Sequence, residues 1–268
     1  MNGIKKFLVR SLAFIALLVI WETVSRTRLV NPFFIPPLSE VVKTAWNLTS
    51  SGVLPFHTLT SMVRAMAGFM IAVLVGVPLG VLLGSGFERF ELVLSPVMEF
   101  FSQINPFIMF HVVILFLGIG ESMKNIIIAW TCIWPIMFSV ISGIQNIDPN
   151  IIKSGRTFGI SRLKLLSKVK IPAAAPAIFT GLRISAGYSF FMLIAAEMMG
   201  CSSGLGWFIL NSQENYRIPD IFAAASVIAL LGLGLDTLMR YIEEKLTVAG
   251  ENGSPNILAT NLKNKLVR

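Results

Sequence analysis

Residues 62–83 read MVRAMAGFMIAVLVGVPLGVLL, with Arg64 as their one charge. A helix needs about 20 mostly apolar residues to cross a hydrocarbon core of ~30 Å. The rest of the chain agrees with this stretch. Residues of the AVILMFWYC set make up 54% of 268 and charged residues 13%, about half the usual ~25% of soluble domains. Mean hydropathy is +0.75. Too few polar residues remain to coat a water-soluble domain. Intrinsic disorder and a disulfide-stapled scaffold are excluded as well, since Cys132 and Cys201 allow at most one bridge. The chain reads as an all-α integral membrane protein.

Five further spans are expected around this one. They are about Phe7 to Val24, about Leu92 to Leu117, about Lys124 to Ile144, about Ala174 to Met199 and about Ile221 to Tyr241. The third in chain order is weak. Pro106 removes a backbone donor, so that span should kink or start late. The first resembles a signal peptide, but no small-x-small cleavage site follows it, so it is read as an uncleaved anchor. With the N-terminus inside, sixteen Lys and Arg fall on the inner side. Six fall outside: Arg26, Arg28, Lys43, Arg64, Lys124 and Arg217. This bias places both termini in the cytoplasm and accounts for the net charge of +8 without nucleic acid. Three regions follow: residues 1–57 with the first span and an outer amphipathic segment, a membrane domain over 58–245, and a cytoplasmic tail over 246–268.

In the outer segment, Leu38, Val41, Val42, Ala45 and Trp46 have helical spacing, with Ser39 placed to cap the helix. No outer segment is long enough to capture a scarce solute. In the second span Gly68, Ala72, Gly76, Gly80 and Gly84 recur every fourth residue, as do Ala177, Gly181, Ser185 and Ser189 in the fifth. Such stripes either pack helices within one subunit or face a moving partner or pore. Glu22, Arg64, Arg183 and Asp236 lie near span ends, where they can reach the interface. Glu197 either lines a water-filled path or pairs with a neighbouring helix. Met192, Met198, Phe190 and Phe191 lie close to it in sequence, as an apolar path or as ordinary core. These make Glu197, Met192 and Met198 the translocation-path candidates, and replacing Glu197 is expected to alter transport more than assembly.

The loop between the fourth and fifth spans carries the most information. Asp148 is placed to cap a helix starting at Pro149, with Ile151, Ile152, Gly155 and Phe158 on its less polar face. Gly159 stops it. Ser161 is placed to cap a second helix bearing Leu163, Leu166 and Val169, and Pro172 marks the start of the fifth span. The result is a compact basic knob on the inner face, suited either to docking or only to setting topology.

The run Lys153-Ser154-Gly155-Arg156-Thr157-Phe158-Gly159, nine residues, then Val169-Lys170-Ile171-Pro172 resembles the inner-loop signature of permease subunits of binding-protein-dependent ABC importers. That signature reads E-A-A, three residues, G, nine residues, I-x-L-P. The spacing matches, although Lys153-Ser154-Gly155 replaces Glu-Ala-Ala. Pro36 to Val41, Leu74 to Gly84, Leu115 to Glu121, Phe179 to Arg183 and Ala196 to Gly200 also resemble the branch that imports nitrate, sulfonates, taurine or bicarbonate, and vitamin-related compounds. The resemblance implies six transmembrane helices of the type I importer kind and a homodimer in a bacterial or archaeal plasma membrane. It further implies two ATPase subunits and an extracytoplasmic solute-binding protein. Lys153, Ser154, Gly155, Arg156, Thr157, Phe158, Gly159 and Pro172 would form the ATPase-coupling loop.

The residues themselves agree in part. No Gly-x-x-x-x-Gly-Lys-Ser/Thr phosphate loop is present, so ATP is expected to be used by the partner and no cofactor or metal is expected here. A secondary transporter or channel would need mid-membrane coupling carboxylates or inverted repeats. A lipid-modifying enzyme would need clustered nucleophile, base or metal ligands, whereas His57 and His111 stand apart in sequence.

Overall fold

The structure is a computed structural model, and it describes residues 3–27, 29–31, 33–85, 88–157 and 161–251. Every regular element among them is helical: α1 (Gly3–Arg26), α2 (Leu38–Ser50), α3 (Val53–Gly84), α4 (Glu88–Ser102), α5 (Pro106–Leu117), α6 (Glu121–Gln145), α7 (Pro149–Thr157), α8 (Arg162–Leu165), a π turn (Leu166–Lys170), α9 (Ile171–Met198), α10 (Leu205–Glu214) and α11 (Ile218–Glu251). Four stretches are long and apolar enough to span a bilayer: Val53–Gly84, Glu121–Gln145, Arg162–Met198 and Ile218–Lys245. The pair Val93–Ser102 and Pro106–Leu117, bent by 89°, adds a fifth if it counts as one broken span. The 24-residue α1 covers the residues expected as the first span but is not among these stretches. Leu74 and Leu230 are 72% and 68% exposed, as side chains facing lipid would be.

The broken third span has a definite cause. Pro96 is accommodated within α4. At Pro106 the helix does not kink but restarts. Asn105 is the N-cap, its side chain accepts from Phe107 N, and Pro106 fills the first helical turn, where a missing N–H costs nothing.

Two compact units make up the chain: Met1–Met62 with Glu197–Leu231, and Val63–Ala196 with Gly232–Arg268. In the first, Trp21 Nε1 donates to Pro36 O at 3.1 Å and Ser25 Oγ to Ile35 O at 2.6 Å, fixing the connection into α2. Ser39 is not the cap of α2, since Pro37 holds that position. Instead Glu22 of α1 accepts from Ser39 N and Ser39 Oγ, at 3.1 and 2.9 Å, and also pairs with Arg26.

The second unit is built around α6. Ile127, Ile128, Cys132, Ile136 and Val140 are fully buried on it. The α3 stripe packs on one side of α6. A Cβ on Gly68 would lie 2.6 Å from Ile128, and one on Gly80 would lie 2.7 Å from Val140. The α9 stripe packs on α6 too. A Cβ on Gly181 would lie 2.5 Å from Ser139. Ser185 Oγ donates to Cys132 O at 3.0 Å, and Cys132 Sγ to Ser185 O at 3.2 Å. Both stripes therefore serve packing within one subunit, because apolar lipid gives helices no other drive to associate than close contact and hydrogen bonding.

The charges near span ends pair rather than simply reaching for water. Arg64 makes a two-pronged contact with Glu121, at 2.8 and 2.7 Å, and Lys124 Nζ lies 2.8 Å from the same carboxylate. Arg183 Nε donates to Asp236 at 2.8 Å and Arg240 Nη2 donates to the other Asp236 oxygen at 3.0 Å. Glu243 accepts from Thr180 Oγ1 at 2.9 Å and from Arg183 at 3.4 Å.

Candidate functional site

The loop singled out by its spacing forms a short arm. Asp148 caps α7, its Oδ1 accepting from Asn150 N at 2.8 Å and its carbonyl from Ile151 N at 3.0 Å. Lys153, Ser154 and Thr157 face outward, Ile151 is 43% exposed, and Gly155 is buried. A Cβ on Gly155 would lie 2.6 Å from Leu165 Cδ1, so the glycine lets α7 close against α8. Phe158 and Gly159 lie outside the described residues.

The second half of the arm differs from the sequence reading in two ways. Ser161 occupies the N-cap of α8 but its side chain makes no cap bond. Leu163 is 78% exposed, and Leu165 is the residue that turns inward, at 4%. Pro172 is the second residue of α9 (Ile171–Met198), at the start of the fifth span as read from sequence, and α8 and the π turn lead into it as one run, Arg162–Met198. The π turn carries the helix across: Ile171 N reaches back to Leu166 O, immediately before the proline that has no N–H to give. Single π turns inside α-helices recur at functional sites. From the same turn, Lys170 Nζ donates to Ser85 O at 2.9 Å, binding a carbonyl just past the end of α3, where a cation is favoured.

Glu197 sits elsewhere, in a fully buried polar knot at the start of α10. The first backbone donors of α10 have no partners within the helix, and side chains supply them. Gly204 N donates to His57 Nδ1 at 3.0 Å, Leu205 N to Ser61 Oγ at 2.8 Å, and Gly206 N to Glu197 Oε2 at 3.0 Å. Ser61 Oγ lies 2.8 Å from both Glu197 oxygens and donates to them. Gly204 has φ 111° and its backbone passes so close to the carboxylate that no side chain fits. The His57 ring stacks near Trp207 and Phe208, each at 5.3 Å. Of the two readings open for Glu197, pairing with a neighbouring helix describes its surroundings. Helix α10 and the partners His57, Ser61 and Gly204 were missed from sequence. The one local hint is that His57 and Ser61 are four residues apart, hence on one face of α3.

Met192 is 1% exposed, while Met198 is half-buried. Met192 borders a cavity of ≈ 550 Å³ between the α4–α5 break, α6 and α9, lined among others by Asn105, Trp134, Tyr188 and Phe191. No acidic or basic side chain lines it. Its Thr131 hydroxyl is committed to Ile127 O of its own helix, at 2.9 Å. The wall is aromatic and electrically neutral.

Residues 76–248 match the family described as "binding-protein-dependent transport system inner membrane component". The chain is 30% identical over 238 residues to the taurine transport system permease protein of Escherichia coli (strain K12), covering 86% of each chain. It is 30% identical to a putative aliphatic sulfonates transport permease protein of Bacillus subtilis (strain 168), over 86% of this chain and 83% of that one. It is 31% identical to a bicarbonate transport system permease protein of Synechococcus elongatus, over 70% and 68%. Among solved structures, an inward-facing methionine ABC transporter aligns with a TM-score of 0.62 at 16% identity, over 69% of this chain and 92% of that one. An amino acid ABC transporter aligns with a TM-score of 0.62 at 16% identity, over 74% and 96%. The all-helical fold is that of type I ABC importer permeases. The chain belongs to the family of inner-membrane components of binding-protein-dependent transport systems, and is a transport permease rather than an enzyme.

Proposed function

We propose that two copies of this chain form the translocation pathway of an ATP-driven importer in a bacterial or archaeal plasma membrane, with all termini cytoplasmic. Two ATP-binding subunits engage residues 148–172 from below, and a solute-binding protein delivers a small solute from outside. The observation that carries the reading is the arm itself. It offers an exposed row of Lys153, Ser154 and Thr157 on the capped helix α7, which closes through Gly155 against α8, and α8 runs through a π turn into a membrane span. Arg156 and Gly159 belong to the same contact by the spacing of the motif. A rigid helix joined to a span converts a push at its base into a tilt of the span.

The path runs past the neutral aromatic cavity bordered by Met192, and Met198 is a further candidate for it by sequence. Relatives named for taurine, sulfonates and bicarbonate support a small solute of that kind. A wall without charge selects poorly among such solutes, so selection rests with the binding protein.

The test is a photo-crosslinking residue at Ser154 in the assembled complex. It should capture the ATPase, with a yield that changes between the ATP-bound and nucleotide-free states. Capture of the solute-binding protein instead, or of lipid alone, would refute the assignment.

A further inference from the structure

The turn between α10 and α11 is built around an unexpected residue. Tyr216 N donates to Gln213 O at 3.1 Å, and Arg217 N to Ser212 O at 2.8 Å. This pair of bonds is the Schellman closure of a helix, whose left-handed position is usually glycine. Here Tyr216 holds it, at φ 55°, the one non-glycine with positive φ among the described residues. An L side chain is disfavoured there because its Cβ crowds the following carbonyl. Packing does not offset this, since Tyr216 is 74% exposed.

The next residue is held ready. Arg217 Nη2 donates to Asn211 Oδ1 at 2.8 Å, and its Nη1 lies 3.5 Å from Asp220. Glu214 and Asn215 beside them are exposed. An exposed tyrosine and a braced arginine thus stand together on a polar tip. Tyr and Arg are enriched among residues that dominate protein interfaces, and bracing lowers the ordering cost of binding. A tyrosine seated among lipid headgroups needs no left-handed backbone and no such polar flanks.

We propose that the Tyr216–Arg217 tip is a docking contact for the solute-binding protein. This rests on the importer reading, which places the turn between the last two spans on the outer side. The family description names dependence on a binding protein, and the outer segments are too short to capture solute themselves.

The experiment titrates purified, solute-loaded binding protein against the reconstituted permease–ATPase complex and reads stimulated ATP hydrolysis. Tyr216→Gly suits the left-handed backbone better than tyrosine, so it removes the ring without harming the turn. The half-stimulating concentration should rise about 30-fold, the usual loss at an interface hot spot, with the maximal rate at saturation retained and the melting temperature not lowered. A wild-type titration curve overturns the proposal. A changed lipid dependence with an unchanged titration also overturns it and assigns the ring to headgroups. If the wild-type complex is not stimulated at all, the importer reading fails, and this inference fails with it.

Discussion

Glu197→Ala separates a structural carboxylate from one that handles solute. The substitution removes the acceptor for Ser61 Oγ and for Gly206 N, both in a fully buried setting. A hydrogen bond to a charged group contributes about 1.5–3 kcal/mol. Losing two gives a destabilisation of about 3–6 kcal/mol, a large share of the ~5–15 kcal/mol typical of a folded protein. The melting temperature should fall by about 10–20 °C. Glu197→Gln keeps the shape and one acceptor oxygen, so about half that loss is expected. The sequence reading expects a larger effect on transport than on assembly, and the bonds of the knot predict the opposite.

The assay uses the chain's own thiols. Cys132 is fully buried and bonded to Ser185 O, so a maleimide dye should report unfolding in detergent once the partly exposed Cys201 is replaced by Ser. Uptake is then measured per folded complex. If Glu197→Ala melts as wild type yet loses uptake, the structural argument is refuted and the carboxylate acts on solute.

Two further outcomes follow from the packing and from the arm. Gly80→Ala places a Cβ 2.7 Å from that of Val140 and 3.1 Å from Met137 O, and overpacking of this kind costs about 1–3 kcal/mol. Gly187→Ala meets nothing within 4 Å and should stabilise α9 by about 0.5–1 kcal/mol. Thermal melts of the two variants should therefore move in opposite directions, and equal shifts would refute the assignment of the stripe to α6. Lys170→Met cuts the bond to Ser85 O, which contributes only about 0.3–1 kcal/mol to stability. Solute moved per ATP hydrolysed should nevertheless fall, with the melting temperature close to wild type. An unchanged ratio would mean that the bond transmits nothing.

What was legible in the sequence follows from how far apart the interacting residues lie. Spans announce themselves because lipid imposes a local rule on some twenty consecutive side chains, and the stripe of Gly68, Gly76, Gly80 and Gly84 shows in its period alone. The arm was legible for a similar reason: Asp148 lies two residues from the N–H it caps. Short-range misses, such as Leu165 rather than Leu163 turning inward, are small; the larger failures are at long range. Ser39 looked like a cap until Glu22, seventeen positions away, took the backbone donor. Ser61 and Glu197 are separated by 136 positions, and no periodicity connects them. The same distance argument explains why an isolated carboxylate in a membrane sequence draws a functional reading. Its cost is visible in the chain while its partners are not. In this chain carboxylates of every exposure partner helix starts: the half-buried Glu22 at α2, the exposed Asp148 at α7 and the buried Glu197 at α10. An unpartnered helix N-terminus is therefore the first place to look for what a buried acid near a span end is doing, before assigning it to the solute.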